Sequence, residues 1–286
     1  MLLTTKRNYL LGVVGLFILA FFLRQVFSGR FILEQFFSIG VLKIHYYGIC
    51  LAGGAGAGYW LARKRSERFG ITLQQCDDLV FWLIVGGFLG ARIYHVFSSF
   101  FFYVHNPVAI VKVWDGGLSI YGAVFGGFLA LYLYKKTVNL GVSLIWLCSW
   151  LTPSLIIGQI IGRFGNMFNY ELYGYPTGMP WKMFVPLQFR FAGYERFAYF
   201  HPLFLYEIVA NGLVLVLLCR LEKNGHKSAL FIWYLLLYNT VRFCLEFLRL
   251  DSVFIGHFRQ NAVVSLLVAV VAALYLTKRT NHAKIS

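Results

Sequence analysis

An all-α, polytopic membrane helix bundle is the fold class this sequence predicts, on three observations. Of 286 residues, 59% are hydrophobic and only 13% are charged, about half the charged share of a soluble domain. The apolar residues gather into eight runs, each close to the roughly 20 residues that a helical crossing needs. Lys and Arg fall largely in short clusters between those runs, as the orientation rule for membrane helices requires. Helices are also the one open structure a bilayer tolerates, because they satisfy their own backbone groups.

The runs lie at about 9–27, 45–62, 79–101, 117–134, 142–162, 200–219, 229–248 and 261–277. The first follows Lys6 and Arg7 and resembles a signal peptide, yet no small-x-small cleavage site follows before Arg24. It is expected to stay as an added span in a segment 1–30. Gly54-x3-Gly58, Gly86-Gly87-x2-Gly90, Gly122-x3-Gly126 and Gly158-x3-Gly162 in the next four runs have the spacing at which helix backbones approach closely. Gly54-Ala55-Gly56-Ala57-Gly58 looks faintly like a nucleotide loop, but no strand precedes it and no acidic ribose partner follows. The longest connection, about 163–199, is rich in Pro, Gly, aromatic and basic residues and is expected to be external and functional. Clusters at Lys6/Arg7, Arg63-Lys64-Arg65/Arg68, Lys135-Lys136, Arg220/Lys223/Lys227 and Lys278-Arg279/Lys284 alternate with less basic connections. Both termini are therefore expected in the cytoplasm, with 281–286 as a short tail.

Composition excludes several functions. The net charge of +15 sits where lipid anchoring needs it, so anionic membrane lipid and not nucleic acid is the expected partner. The five cysteines are scattered, without the paired spacing of a metal site or a disulfide framework. There is no H-E-x-x-H, no Asp-rich magnesium motif and no G-x-S-x-G elbow, which disfavours hydrolysis by a metal or a serine nucleophile.

Ionisable groups inside a span cost several kcal/mol unless paired or hydrated, so each is a functional candidate. Arg92 lies in the third run, Glu207 in the sixth, Arg242 and Glu246 in the seventh, and Arg163 closes the fifth. With the expected orientation all fall in the outer half of the membrane. Tyr47, Tyr121, His201 and Tyr206 begin spans from the same side. Tyr238, Arg242, Glu246 and Arg249 are spaced 4, 4 and 3 apart, one stripe of the seventh helix. Each has a plainer reading: an i,i+4 ion pair for Arg242 and Glu246, an interfacial belt for the tyrosines, a snorkelling cation for Arg163, structural pairing for Arg92 and Glu207, a helix start for His201. Their coincidence on one side favours a site. Arginines at headgroup depth suit a phosphodiester, because guanidinium binds phosphate through paired donors and stays charged when partly buried.

The segment Gly162-Arg163-Phe164-Gly165-Asn166-Met167-Phe168-Asn169-Tyr170-Glu171-Leu172-Tyr173-Gly174 closely resembles the signature of bacterial prolipoprotein diacylglyceryl transferases. Phe37-Ser38-Ile39-Gly40 with Tyr46-Tyr47-Gly48, Phe88-Leu89-Gly90-Ala91-Arg92, Val113-Trp114-Asp115-Gly116-Gly117, His201-Pro202 with Leu205-Tyr206-Glu207, and Arg242-Phe243 with Glu246-Phe247 and Arg249 follow in the family's order. The resemblance covers about 31–280, which it makes the catalytic bundle. It implies transfer of the diacylglyceryl group of phosphatidylglycerol to the lipobox cysteine of a prolipoprotein signal peptide, forming a thioether and releasing glycerol phosphate. It implies no cofactor and no metal, and a place in the bacterial plasma (inner) membrane with the active site near the outer face.

By the same resemblance Arg163 and Arg242 bind the departing phosphate, with Asn166, Glu171 and Gly174 shaping that site. Tyr47, Tyr238, Glu246 and Arg249 orient the headgroup or hold the arginines, and the outer loop admits the precursor. Family members often carry a histidine, proposed as the base for the thiol, where this chain has Tyr121. A tyrosine, with a pKa near 10, is a poor acceptor at pH 7, so Tyr121 is expected to position substrate while Glu171, Glu207 or water takes the proton. Leu203 and Phe204 replace polar residues common after His-Pro, and Arg259-Gln260-Asn261 is an unusual start to the last span. A lipid or solute transporter would need a polar path across the membrane and interrupted helices in matching halves, and neither is visible. A scaffold explains the glycine spacings but not the polar cluster.

Overall fold

The computed structural model describes residues 2–40 and 42–285. The side chains of Lys6, Arg7 and Lys284, part of the orientation argument, lie outside the described set, as does that of Asp115. Every apolar run coincides with a helix: α1 (Leu2–Phe27), α2 (Tyr46–Arg65), α3 (Leu73–Ser98), α5 (Ile120–Thr137), α6 (Leu144–Phe168), α7 (Leu203–Lys223), α8 (Leu230–Glu246) and α9 (Gln260–Ile285), with a short α4 (Phe100–His105) after the third. Among the described residues, five helices, α3 and α6 to α9, are long and apolar enough to cross a membrane by length and composition. The chain is a multi-pass membrane protein. Three small antiparallel hairpins, unforeseen in the sequence, accompany the helices: β1 (Phe36–Ile39) with β2 (Leu42–His45), β3 (Met183–Phe184) with β4 (Tyr199–Phe200), and β5 (Phe254–Ile255) with β6 (Phe258–Arg259).

Two compact units divide the chain. The first comprises Met1–Ala57, Leu155–Arg220 and Ile232–Ser286, the second Gly58–Ser154 and Leu221–Phe231. In the second unit, α3 and α5 pack backbone to backbone through their glycines. A Cβ on Gly90 would run into the Gly122 carbonyl, and one on Gly122 into that of Gly90, which is the close approach the small-residue spacing promised. Thr72 starts α3 with a capping box: its Oγ1 accepts from the Gln75 N–H at 3.2 Å and the Gln75 side chain accepts from the Thr72 N–H at 3.0 Å. Arg65, expected as a lipid-facing anchor, is buried instead. It donates to the Trp150 carbonyl at 2.6 Å and to Glu222 at 2.8 Å.

In the first unit, the connection after α6 forms its own core. Tyr170, Leu172, Tyr173, Met183, Val185 and Phe200 are buried with Val26 and Phe27 from α1 and Leu203 and Phe204 from α7. Leu203 and Phe204, the two departures after His-Pro, are thus core residues. The Tyr173 hydroxyl donates to the Phe189 carbonyl at 2.6 Å and accepts from the Phe191 N–H at 2.9 Å. The long connection is a packed element. It begins later than the expected 163, because α6 runs on to Phe168.

Candidate active site

The end of α6 sets the first half of the site. Tyr170 adopts the left-handed conformation, φ 53°; its N–H donates to the Met167 carbonyl at 3.3 Å and the Glu171 N–H to that of Asn166 at 2.9 Å. That pair of bonds is a Schellman cap, built on tyrosine where glycine is usual. Leu172 is left-handed as well, φ 55°, so Glu171 sits between two residues in a conformation that costs side-chain-bearing residues energy. The cap folds Glu171 back over the last turn. Asn166 Nδ2 donates to Glu171 Oε2 at 3.2 Å, Asn169 Nδ2 to Oε1 at 3.1 Å, and Arg163 Nη1 to Asn166 Oδ1 at 3.2 Å. Arg163 and Asn166 are one turn apart on a helix, not on the loop the sequence suggested.

Glu207 on α7 and Glu246 at the end of α8 are the buried carboxylates, 3% and 0% exposed. Arg163 Nε stands 2.5 Å from Glu207 Oε2, and Arg242 Nη1 3.6 Å from Oε1. Arg242 Nη2 pairs with Glu246 Oε2 at 2.9 Å across one helical turn. Arg249 reaches Glu207 and Glu246 at 3.9 Å each and makes a two-pronged pair with Asp251. Several of these contacts are ionic without being aligned hydrogen bonds: Arg163 Nε, Arg242 Nη1, Glu207 Oε2 and Glu246 Oε2 have no correctly oriented partner.

The α8 stripe differs at both ends from its expected form. Arg249 lies beyond the helix, carried back by a turn in which its N–H donates to the Glu246 carbonyl at 3.2 Å. Towards the start, Tyr234 continues the row, stacked on Tyr238 at 5.3 Å, its hydroxyl accepting from Gln159 at 2.9 Å. The Tyr238 hydroxyl faces Arg163. Tyr47, on the first turn of α2, lies against Gly165, where a Cβ would stand 2.7 Å from its ring, and within electrostatic reach of Glu171 and Arg163. Gly174 bridges to Arg249, and a side chain there would strike the Leu248 carbonyl. Its role is to let the chain lie flat along the turn that bears Arg249.

A cavity of about 460 Å³ opens on this cluster, lined by Gln35, Arg163, Asn166, Asn169, Glu171, Arg249 and Asp251 with Phe189 and Phe191 at its sides. Arg242 stands behind it, tied to both glutamates. Asp251, Asn169 and Gln35 escaped the sequence argument, as did Asn261, which donates to Glu246 Oε1 at 3.3 Å. Asp251 and Asn169 lie two or three residues from flagged positions, so proximity was their signal. Asn261 is 15 residues from its partner, and only the fold joins them.

Four candidates, His201, Tyr206, Arg92 and Tyr121, have other surroundings. His201 Nδ1 lies 2.9 Å from the Tyr206 hydroxyl, which also accepts from Trp181 at 2.6 Å, so this pair organises the connection after α6. Burial holds the His201 imidazole below its ordinary pKa. In the second unit, Arg92 donates to the carbonyls of Ala109, Ile110, Lys112, Gly116 and Gly117 at 2.5–3.4 Å. Its fork clamps a loop; the sequence places it among the lipid-binding candidates. Tyr121, 59% exposed on α5, lines an apolar groove of about 620 Å³ with Phe125, Phe128 and Leu129. That groove is larger than the cavity among the arginines but offers no charged group. Among the described residues no group of three or more His, Cys, Asp or Glu could hold a metal ion.

The prolipoprotein diacylglyceryl transferase profile matches residues 34–278. A phosphatidylglycerol–prolipoprotein diacylglyceryl transferase of Fervidobacterium nodosum is 42% identical over 92% of this chain and 89% of its own length. Proteins of the same description from Thermotoga maritima and Acaryochloris marina are each 37% identical over 85% of this chain, and over 84% and 89% of their own lengths.

Proposed function

The chain belongs to the prolipoprotein diacylglyceryl transferase family, and on that premise we propose that its arginine cluster is the headgroup site of a phosphatidylglycerol–prolipoprotein diacylglyceryl transferase. The enzyme is a transferase of lipoprotein biosynthesis. It moves the diacylglyceryl group of phosphatidylglycerol to a prolipoprotein, the acceptor being the cysteine thiol of a lipobox at the end of a signal peptide. The observation that carries this reading is the cavity whose wall holds Arg163 and Arg249 with Asn166 and Glu171, backed by the buried Glu207 and Glu246 and the partly buried Arg242.

The chemistry follows from those groups. The thiol sulfur attacks the diacylglyceryl carbon bonded to the phosphate oxygen; a C–S bond forms, the C–O bond breaks, and its electron pair leaves on glycerol phosphate. Preorganised positive charge at the phosphate lowers the barrier, because charge grows there as the bond breaks. Arg163 and Arg249 meet the phosphate from the cavity wall, and Arg242 completes the field from behind. The thiol proton goes to Glu171, whose carboxylate faces the cavity. Glu207 is a poorer acceptor, since both its oxygens lie against arginines. Tyr47 and Tyr238 border Arg163 and orient the headgroup, and the connection carrying Trp181 and His201, braced by Tyr206 at the start of α7, admits the precursor.

The proposal extends to topology. Eight of the helices, all but α4, span the bacterial plasma (inner) membrane, with both termini in the cytoplasm and the site near the outer face. Transfer of radiolabelled diacylglyceryl from phosphatidylglycerol to a lipobox peptide by the purified protein tests the activity, with folded Arg163→Ala and Arg242→Ala variants beside it. Label on the peptide cysteine, lost in both variants, is the expected result. A well-folded wild type that transfers nothing would overturn the reading.

A further inference from the structure

Arg259 stands on β6, ten residues beyond Arg249, and its guanidinium turns back onto the segment that follows α8. Nη1 donates to the carbonyls of Glu246 at 2.6 Å and Arg249 at 3.1 Å, and to Ser252 Oγ at 2.9 Å. Nη2 donates to the Tyr175 hydroxyl at 3.2 Å. The rings of Phe247 and Phe254 lie within cation–π reach, at 5.8 and 5.3 Å. The Glu246 carbonyl is the last of α8, a position where an orphan acceptor and the helix dipole both favour a cation. One side chain therefore ties together the end of α8, the backbone of Arg249, and the segment at Tyr175, next to the Gly174 that bridges to Arg249.

We infer that Arg259 is a positioning residue: it fixes the turn 246–252 and, through it, the Arg249 guanidinium at the cavity wall. The inference rests on the reading of Arg249 as a phosphate ligand. At 3.9 Å, Glu207 and Glu246 attract Arg249 without directing it. Its aim comes from the pair with Asp251 and from the backbone beneath, and both belong to the turn that Arg259 holds. Lysine is no substitute. An ammonium is a point of charge with three donors, whereas the planar fork of Arg259 meets four separated acceptors at once. Displacement of a binding group by about 1 Å can cost on the order of 100-fold in the step it serves, so a loosened turn is felt at the site even though Arg259 does not line the cavity.

A double-mutant cycle on the purified full-length protein in detergent tests this, read by binding of radiolabelled phosphatidylglycerol. Arg259→Lys and Arg249→Ala are each expected to weaken binding by roughly tenfold, about the worth of one charge-assisted hydrogen bond. The double variant is expected to bind no more weakly than Arg249→Ala alone. Effects that multiply in the double variant would mean that Arg259 supports the fold independently of Arg249, and the inference would fail. It fails equally if either single variant binds as the wild type does. Should Arg259→Lys not fold, Tyr175→Phe loosens the guanidinium while leaving the end of α8 intact. It is expected to weaken binding about two- to threefold in the wild-type background and not at all with Arg249→Ala; the same loss in both backgrounds would overturn the inference. Transfer is assayed in parallel: coupled binding without transfer by the wild type counts against the enzyme reading alone, and transfer with an uncoupled cycle against Arg259 alone. A wild type that does not bind phosphatidylglycerol overturns both.

Discussion

Glu207 carries a different arginine at each carboxylate oxygen, Arg163 at 2.5 Å on Oε2 and Arg242 at 3.6 Å on Oε1. The glutamate is nearly inaccessible, and its two nearest partners come from α6 and α8, so a single side chain on α7 relates three helices.

Removing that charge is expected to cost both fold and rate. Glu207→Gln leaves two partly buried guanidinium groups without their shared counter-ion, and breaking a buried pair from one side costs about 3–5 kcal/mol. A lower unfolding midpoint in detergent, with transfer reduced on the order of 100-fold through the misplaced arginines, is the expected outcome. Wild-type stability and rate in a Glu207→Gln protein would show that the arginines are held by other means.

Arg92→Lys separates a clamp from a lipid ligand. Because the guanidinium donates to five carbonyls of the 109–117 loop, the substitution is expected to lower stability by roughly 1.5–3 kcal/mol and to speed amide exchange in that loop. The KM for phosphatidylglycerol is expected to stay within about twofold. A raised KM with the loop still protected would return Arg92 to the substrate site.

Tyr121→Phe is expected to keep transfer within about threefold of wild type, since loss of a general base costs about 100- to 10,000-fold and the exposed ring can still pack against substrate. Steady-state transfer rates decide. A collapse in Tyr121→Phe that His restores at the same position would make the hydroxyl a proton acceptor after all.

The pH dependence has a definite sign at His201. Burial lowers its pKa in the folded chain, so the unfolded chain, with a value near 6.5, binds the proton more readily. Stability is then intact above about pH 6.5 and falls as the pH drops from there towards the lower folded value. Unfolding midpoints taken from pH 7.5 to 5 should decline less in His201→Gln than in wild type. Parallel curves would assign the acid sensitivity to other groups.

How much of this was legible beforehand depended on the range of the interaction concerned. The positions of the eight long helices follow from hydropathy alone, because the requirement to bury backbone in a bilayer acts on each run separately. Helix ends were harder. Arg163 and Asn166 look like an exit from the membrane, yet α6 continues through them to Phe168, and the partner of Arg163, Glu207, is 44 positions away in the chain. Arg249 fits the period of α8 and still lies outside it, since Phe247 and Leu248 give no stop signal. The pairing of Glu246 with Asn261 and the clamp of Arg259 are tertiary, and nothing local announces either. The hairpins are strands of two to four residues, too short for an alternating pattern to register.

The cluster contains more carboxylates than guanidinium groups: Glu171, Glu207, Glu246 and Asp251 against Arg163, Arg242 and Arg249. Such a site holds no surplus of positive charge. On the proposed reading, a phosphodiester with one negative charge is accommodated by rearranging pairs that already exist, whereas the released glycerol phosphate, with a second ionisation, meets carboxylates ready to reclaim their arginines. On that reading, the groups that keep the arginines in place also shorten the stay of the product, and turnover gains what affinity gives up.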